Sequence, residues 1–375
     1  MSTNSLKQLE TFGQAIWLDY IRRDLFTSGE LRRLIEEDGL KGMTSNPSIF
    51  HKAITETHDY DQDIQDMAFE GKKAVAIYEA ISQADVIRAA DEFWPLFEQS
   101  NKRDGYVSLE VNPHLAHDTA GTIEEARRLW DAVGRINVMI KVPGTEEGLP
   151  AIEQLISEGI NVNVTLLFGL PRYEQVAQAY IAGLEKAAWR NMQRTASVAS
   201  FFLSRIDSLI DPILEGIIAQ GGEKAELAQK VVGQTAIASA KIAYQMYKKI
   251  FAGERFQKLA EKGGHTQRLL WASTSTKNPN YSDVKYVDAL IGPDTINTVP
   301  LETLKAYRDH GNPRADTLES NVEEAEQIFR WLPELGIDIR DVTQQLENEG
   351  IQKFNEPYDQ LIQSIGKFLT PPANS

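Results

Sequence analysis

The sequence predicts an α/β fold, a closed (β/α)8 barrel of the TIM type with extra helices in insertions and at the C-terminus. Three observations predict it. Eight short apolar runs recur along the chain, each followed by a polar turn and a stretch of helical periodicity, and strands alternating with helices imply a parallel sheet. Five of the runs carry polar groups on one alternate face, which no solvated edge explains, because a strand within a parallel barrel has none. The chain has 375 residues, whereas such a barrel needs ~250, so there is ample room for insertions and tails.

In order, the eight runs are AIWLDY (15–20), GLKGMTSN (39–46), YVSLEVN (106–112), NVMIKVP (137–143), INVNVTLLF (160–168), ASVASFFL (196–203), RLLWAST (268–274) and TINTVP (295–300). After the first, Thr27-Ser28-Gly29-Glu30 has capping-box spacing ahead of Leu31, Leu34 and Ile35, and Gly39 closes that helix. After the fourth, Thr145 is placed to cap a helix presenting Leu149, Ile152, Leu155 and Ile156, with Gly159 as its stop. The stretches 47–105 and 204–267 each have room for two or three helices. From about 319 the chain reads as further helices, the last being YDQLIQSIGKFL, with Tyr358, Leu361, Ile362, Ile365 and Phe368 at helical spacing. No Gly/Ser/Pro-rich linker interrupts the chain, so residues 1–375 read as a single domain.

Composition narrows the function. A net charge of −15 argues against general nucleic-acid binding, which needs a basic footprint. Cysteine is absent, which removes disulfides, thiolate catalysis and cysteine metal sites. No signal peptide and no membrane span are expected, because the first residues lack a basic start before an apolar core and the apolar runs are too short. A cytoplasmic location fits, and monomer or homodimer is left open. An anionic substrate would need its own local cations.

Lys141 is the centre of the chemical reading. Side chains alternate along a strand, so Val138, Ile140 and Val142 share one face and Met139 and Lys141 the other. The branched apolar face suits the helix layer. Lys141 then points into the barrel near the C-terminal strand ends, where such enzymes keep their active sites. Burial of an ammonium group favours the neutral amine, which is a nucleophile. On the fifth run Asn161, Asn163 and Thr165 share a face; on the third, Ser108, Glu110 and Asn112; on the first, Asp19 alternates with Leu18 and Tyr20; on the second, Thr44 and Asn46 share a parity. One lysine, two carboxylates, amides and a hydroxyl suit carbon–carbon bond chemistry through an imine. The lysine makes the covalent step, the carboxylates move protons and the amides hold a polyol.

The segments WLDYIRRDL, GMTSNPSIF, YVSLEVNP, VMIKVPGTEEGLPAI, INVNVTLLF, ASFFLSRID and LLWASTSTKNP resemble the signature blocks of the transaldolase family, in its longer-chain branch. The resemblance implies a class I aldolase-type barrel with no metal and no organic cofactor. It would move a dihydroxyacetone unit between sugar phosphates, as in the pentose phosphate pathway. By position, Lys141 resembles the Schiff-base lysine, Glu110 and Thr165 the pair that holds a catalytic water, and Asp19 the acid/base at the C4 hydroxyl. Asn46 and Asn163 resemble the amides that bind dihydroxyacetone hydroxyls, and Ser200 and Phe202 line the sugar pocket. Arg205 matches the phosphate arginine. Many relatives carry a second arginine after the seventh strand; here the text is Ala272-Ser273-Thr274-Ser275-Thr276-Lys277, so Ser273 and Lys277 are assigned to phosphate. Lysine binds it as a point charge without arginine's bidentate fork.

Other features have plainer readings. His114, His117 and Asp118 read as a solvated loop and helix cap rather than a metal site. Trp94, Trp130, Trp189, Trp271 and Trp331 read as packing, as does the stripe of Tyr244, Tyr247 and Ile250. TSTSTK lacks the glycines of a P-loop. Three alternatives stay open. A fructose-6-phosphate aldolase-like lyase shares the barrel and imine, but such relatives are shorter and tend to carry glutamine and tyrosine where this chain has Glu110 and Phe202. A non-catalytic sugar-phosphate-binding barrel is opposed by the intact lysine and carboxylates. A lysine–pyridoxal phosphate enzyme would absorb visible light.

Overall fold

The computed structural model describes residues 4–369. Eight parallel strands close into a barrel in sequence order: β1 Gln14–Asp19, β2 Gly42–Thr44, β3 Tyr106–Glu110, β4 Val138–Pro143, β5 Val162–Leu167, β6 Ser197–Phe202, β7 Arg268–Ala272 and β8 Thr295–Val299. Seven lie within the runs expected from the sequence, and β1 begins one residue before its run, at Gln14. Closure pairs β1 with β8, Gln14 opposite Thr295 and Leu18 opposite Val299.

Side-chain hydrogen bonds between strands that are not neighbours run through the barrel interior, and they fix which face points inward. Asn163 Nδ2 on β5 donates to Ser108 Oγ on β3 at 2.9 Å. The hydroxyls of Thr44 on β2 and Thr298 on β8 are 2.8 Å apart. Val138, Ile140 and Val142 take the opposite parity and are fully buried against the helix layer, as their branched shapes suggest.

Deeper in the barrel, the opposed pair Trp17 and Gly42 fills space between β1 and β2. A Cβ on Gly42 would lie 2.5 Å from the Trp17 ring, so the glycine is what lets a fully buried indole fit. Gly42→Ala should therefore cost stability by overpacking, typically ~1–3 kcal/mol, read as a lower midpoint of thermal unfolding. An unchanged midpoint would mean that the ring has room to move.

The helices depart from expectation in several places. Thr27 does not cap the helix Glu30–Asp38: it ends the preceding helix Arg23–Thr27, and the cap position falls on Gly29 at φ +75°. The left-handed glycine separates two short helices, so the capping spacing is taken up by a helix end. Gly39 and Gly159 do close their helices in the left-handed region. Thr145 lies two residues ahead of the cap position of Gly148–Glu158, which falls on Glu147, and accepts from Gly148 N at 3.0 Å. The stretch 47–105 holds three helices, but 204–267 holds four: Ser204–Gln220, Glu223–Val231, Thr235–Phe251 and Glu254–Ala260. The last helix is longer than expected, Ile339–Leu369, with Pro357 inside it. Phe368 is 39% exposed, so the buried stripe ends at Ile365.

Trp17 and Trp271 are fully buried and Tyr244 and Tyr247 nearly so, but Trp94 and Trp189 are exposed, against the packing expectation. No helix among the described residues is long and apolar enough to cross a membrane.

Candidate active site

A cavity of about 490 Å³ opens at the C-terminal ends of the strands, and Asp19, Thr44, Lys141, Ser200, Ala272 and Thr298 reach it from six of them. Lys141 is 4% exposed. It stands in register with Glu110 on one side and Asn163 on the other. Its Nζ lies 3.3 Å from Glu110 Oε2 and donates to the carbonyl of Ser45 at 3.3 Å. The contact with Glu110 is an ion pair without hydrogen-bond alignment, since neither Glu110 oxygen has a hydrogen-bond partner in the protein. Loss of hydration pushes the Glu110 carboxyl up to about 7, with the Lys141 charge opposing and Asp19 adding to the rise.

Asp19 closes β1 and accepts from Thr44 Oγ1 at 2.6 Å. Burial raises its pKa against the pull of Lys141 and that hydrogen bond. Glu110 thus stands beside the amine and Asp19 on β1 feels its charge, and both carboxyls are biased toward the protonated form. That is the setting in which an acid and a base can exchange roles near neutral pH.

The amides are held in different ways. Asn46 caps the helix Pro47–Thr55, its side chain accepting from Ile49 N at 3.0 Å. It also lines the cavity, and one carbonyl bonded to a backbone N–H leaves the NH2 group for a ligand. Asn163 is fully buried below the cavity: it donates to Ser108 and accepts from Ser200 Oγ at 2.6 Å. Expected to bind substrate hydroxyls, it also fixes Ser200, which lines the cavity. Thr165 is also fully buried, and its hydroxyl has no protein partner. Just beyond it the register of β5 shifts and Leu166 takes φ +61°, the kind of irregularity that re-aims strand ends beside active sites.

Cations collect at the β6–β7 corner. Arg205 stands in the first turn of Ser204–Gln220, half-buried, with Nη1 lacking any partner and its guanidinium 5.6 Å from the Phe202 ring centroid. It does not pair with Asp207, which bonds Lys285, Tyr286 and the backbone N of Ala236 instead. Burial lowers the Arg205 pKa. Lys277 Nζ donates to Ser275 Oγ at 2.7 Å and makes no ion pair among the described residues; burial and then the Arg205 charge lower its pKa. Ser273, at φ +53°, places its Oγ 2.9 Å from Ser204 Oγ. The loop that carries Lys277 is tied to the helix that carries Arg205, because Tyr281 donates to Asp211 at 2.7 Å.

Among the wall residues that escaped the sequence reading are a lysine and a phenylalanine. Lys52 lines the cavity from the helix after β2; its position after SNPS gave no hint. Phe354 comes from the C-terminal helix and puts its ring centroid 5.3 Å from Lys141 Nζ. Helical periodicity shows that Phe354 is buried but not what it covers. The histidines stay apart from this site: His114 binds Asp359 and His117 binds Glu147, while Asp118 caps Thr119–Val133.

Comparison with known proteins agrees with this geometry. The family described as transaldolase/fructose-6-phosphate aldolase matches residues 16–365. "Transaldolase 2" of Nostoc sp. (strain PCC 7120 / SAG 25.82 / UTEX 2576) is 51% identical, over 99% of this chain and 100% of that protein. "Transaldolase" of Trichodesmium erythraeum (strain IMS101) is 49% identical over the same shares. "Transaldolase" of Thiobacillus denitrificans (strain ATCC 25259 / T1) is 46% identical over 97% and 100%.

Proposed function

The chain belongs to the transaldolase/fructose-6-phosphate aldolase family, and from that premise we infer that it is a transaldolase-type transferase. It moves a dihydroxyacetone unit reversibly from fructose 6-phosphate or sedoheptulose 7-phosphate to erythrose 4-phosphate or glyceraldehyde 3-phosphate. The observation that carries the mechanism is a buried amine, Lys141 Nζ, on the floor of a polar cavity beside Glu110.

Lys141 adds to C2 of the ketose, and loss of water gives an imine. Glu110 moves the protons of that step. Its unbonded oxygens and the unbonded Thr165 hydroxyl support a role for the pair in holding water there. Asp19 takes the C4 hydroxyl proton, the C3–C4 bond breaks, and its electron pair passes to the imine as an enamine. An acceptor aldehyde then adds at C3 and takes the proton back from Asp19. Water finally frees the product from Lys141. Asn46 and Ser200 hold the hydroxyls of the three-carbon unit, and Asn163 sets Ser200. None of these steps needs a metal or an organic cofactor.

Residues 1–375 act as one domain in this reading, supported by the C-terminal helix supplying a wall of the site. A cytoplasmic place fits a chain without cysteine. The reading is tested by supplying fructose 6-phosphate and erythrose 4-phosphate and following sedoheptulose 7-phosphate. Release of free dihydroxyacetone with no transfer would favour a lyase instead.

The substrate phosphate lies between Arg205, Ser273 and Lys277. A hydrogen bond to a charged group contributes ~1.5–3 kcal/mol, or about one to two decades of affinity. Arg205→Ala should lower kcat/KM for fructose 6-phosphate by that factor and leave unphosphorylated fructose almost unchanged, while Lys277→Arg should be tolerated. Equal losses on both sugars would assign Arg205 to the fold or the chemistry.

A further inference from the structure

One wall of the cavity is not built by the barrel. Phe354 is 5% exposed and reaches Lys141 Nζ from the C-terminal helix. That helix is fitted closely to the barrel mouth. Gly350, one turn before Phe354 on the same face, is buried; a Cβ there would lie 3.0 Å from Leu166 Cδ2 and 3.4 Å from the Phe168 ring. Gly169, just past β5, does the same from the barrel side, since its Cβ would meet Thr343 Oγ1 at 3.0 Å. Glu347 on the helix is buried and pairs with Arg172 at 3.5 Å. On the far side of Phe354, Tyr358 packs edge-on against Tyr78 at 5.7 Å. The ring is thus held from both directions along its own helix, 5.3 Å from the reacting nitrogen.

We propose that Phe354 is the water shield of the Lys141 imine and so determines how much of the three-carbon unit is transferred and how much is released. This rests on the Lys141 imine. After C3–C4 cleavage the enamine has two fates. In transfer, C3 attacks the acceptor aldehyde carbon, a new C–C bond forms, and the resulting alkoxide takes the proton held by Asp19. In release, C3 takes a proton instead. Water then adds at C2, the C–N bond breaks, and free dihydroxyacetone leaves with the Lys141 amine restored. Imine hydrolysis ends both branches, so the step that commits the unit to release is protonation of C3, and an apolar ring beside the amine keeps bulk solvent from supplying that proton, as water-excluded sites suppress such side reactions. The donor aldehyde leaves in either case, so the shield acts on the partition and not on cleavage.

The experiment uses the full chain with Phe354→Leu, Phe354→Val and Phe354→Ala. Free dihydroxyacetone formed from fructose 6-phosphate alone is measured against sedoheptulose 7-phosphate formed with erythrose 4-phosphate. The ratio of release to transfer should rise as the side chain shrinks, in the order leucine, valine, alanine. Gly350→Ala, which moves the helix and leaves the ring intact, should raise it less. If alanine does not give folded protein, the leucine and valine variants carry the same ordering. A flat ratio across the folded variants overturns the shield. A parallel borohydride trap on the unaltered chain keeps the two ideas apart. A flat ratio with Lys141 labelled removes only the shield, whereas no label on Lys141 removes the imine beneath it.

Discussion

Lys141→Arg is expected to leave a folded barrel with no transfer activity, a loss on the order of 10⁶ in kcat, the scale seen when a covalent nucleophile is deleted. The guanidinium keeps a positive charge beside Glu110, now 3.3 Å from the ammonium, so the buried carboxyl does not lose its only close counter-charge. What it cannot do is become a neutral nucleophile, because its pKa lies far above the working range. Borohydride with fructose 6-phosphate should place a reduced three-carbon adduct on Lys141 of the unaltered chain, located by mass mapping, and none on the variant. Lys141→Met, close in length and uncharged, is the companion. It should be equally inactive, and with the opposing charge gone Glu110 should titrate higher still. An adduct on Lys277 or Lys52, both of which reach the same cavity, would overturn the assignment of the nucleophile.

The inward direction of Lys141 was legible in the heptapeptide 137–143 because a strand leaves a simple record: polar and apolar residues alternate, and a closed barrel gives the polar face only one place to go. The same record placed Asp19, Thr44, Glu110 and Asn163 in the interior, where the bonds of Asn163 to β3, of Thr44 to β8 and to Asp19, and the contact of Glu110 with Lys141 put them. Alternation says which way a side chain points but not what it finds there. Asn163 is taken up by Ser108 and Ser200, and Asn46 spends its carbonyl on a helix cap. Neither commitment can be read without the partner's position. Nothing in the sequence singled out Phe354. Its stripe with Ile351, Tyr358 and Leu361 shows a buried helix face, and any face of the barrel would satisfy it. The glycines that let this helix settle over Lys141, Gly169 and Gly350, look like ordinary loop and helix residues in the sequence. Thr27 failed for a related reason: a capping pattern is local, and a left-handed Gly29 two residues on reassigns it.

Replacing the two carboxyls should stop the reaction at different points. General acid/base groups contribute ~10²- to 10⁴-fold, so Asp19→Ala and Glu110→Gln should both lower turnover by that order. Asp19→Ala should accumulate imine-bound ketose, because the C4 hydroxyl keeps its proton and the C3–C4 bond stays whole. Glu110→Gln should slow the appearance of the imine itself, followed by quenching with borohydride at short times. Identical trapping kinetics in the two variants would refute the division of labour. The pH dependence adds a separate signature. Burial pushes Glu110 up to about 7, so kcat/KM, which reports groups of the free enzyme, should carry a limb near that pH, and Glu110→Gln should abolish it. Stability has a definite sign as well. The native carboxyl binds its proton more tightly than the unfolded one, whose ordinary value is 4.5, so between the two the native state holds more protons and stability falls as pH rises. Glu110→Gln removes that decline, and the variant should gain stability relative to the unaltered chain on going from pH 5 to pH 8. Chemical denaturation at the two pH values measures it. A parallel fall in both proteins would mean that Glu110 is already ionised throughout, held so by Lys141, and that the proton in imine formation comes from another group.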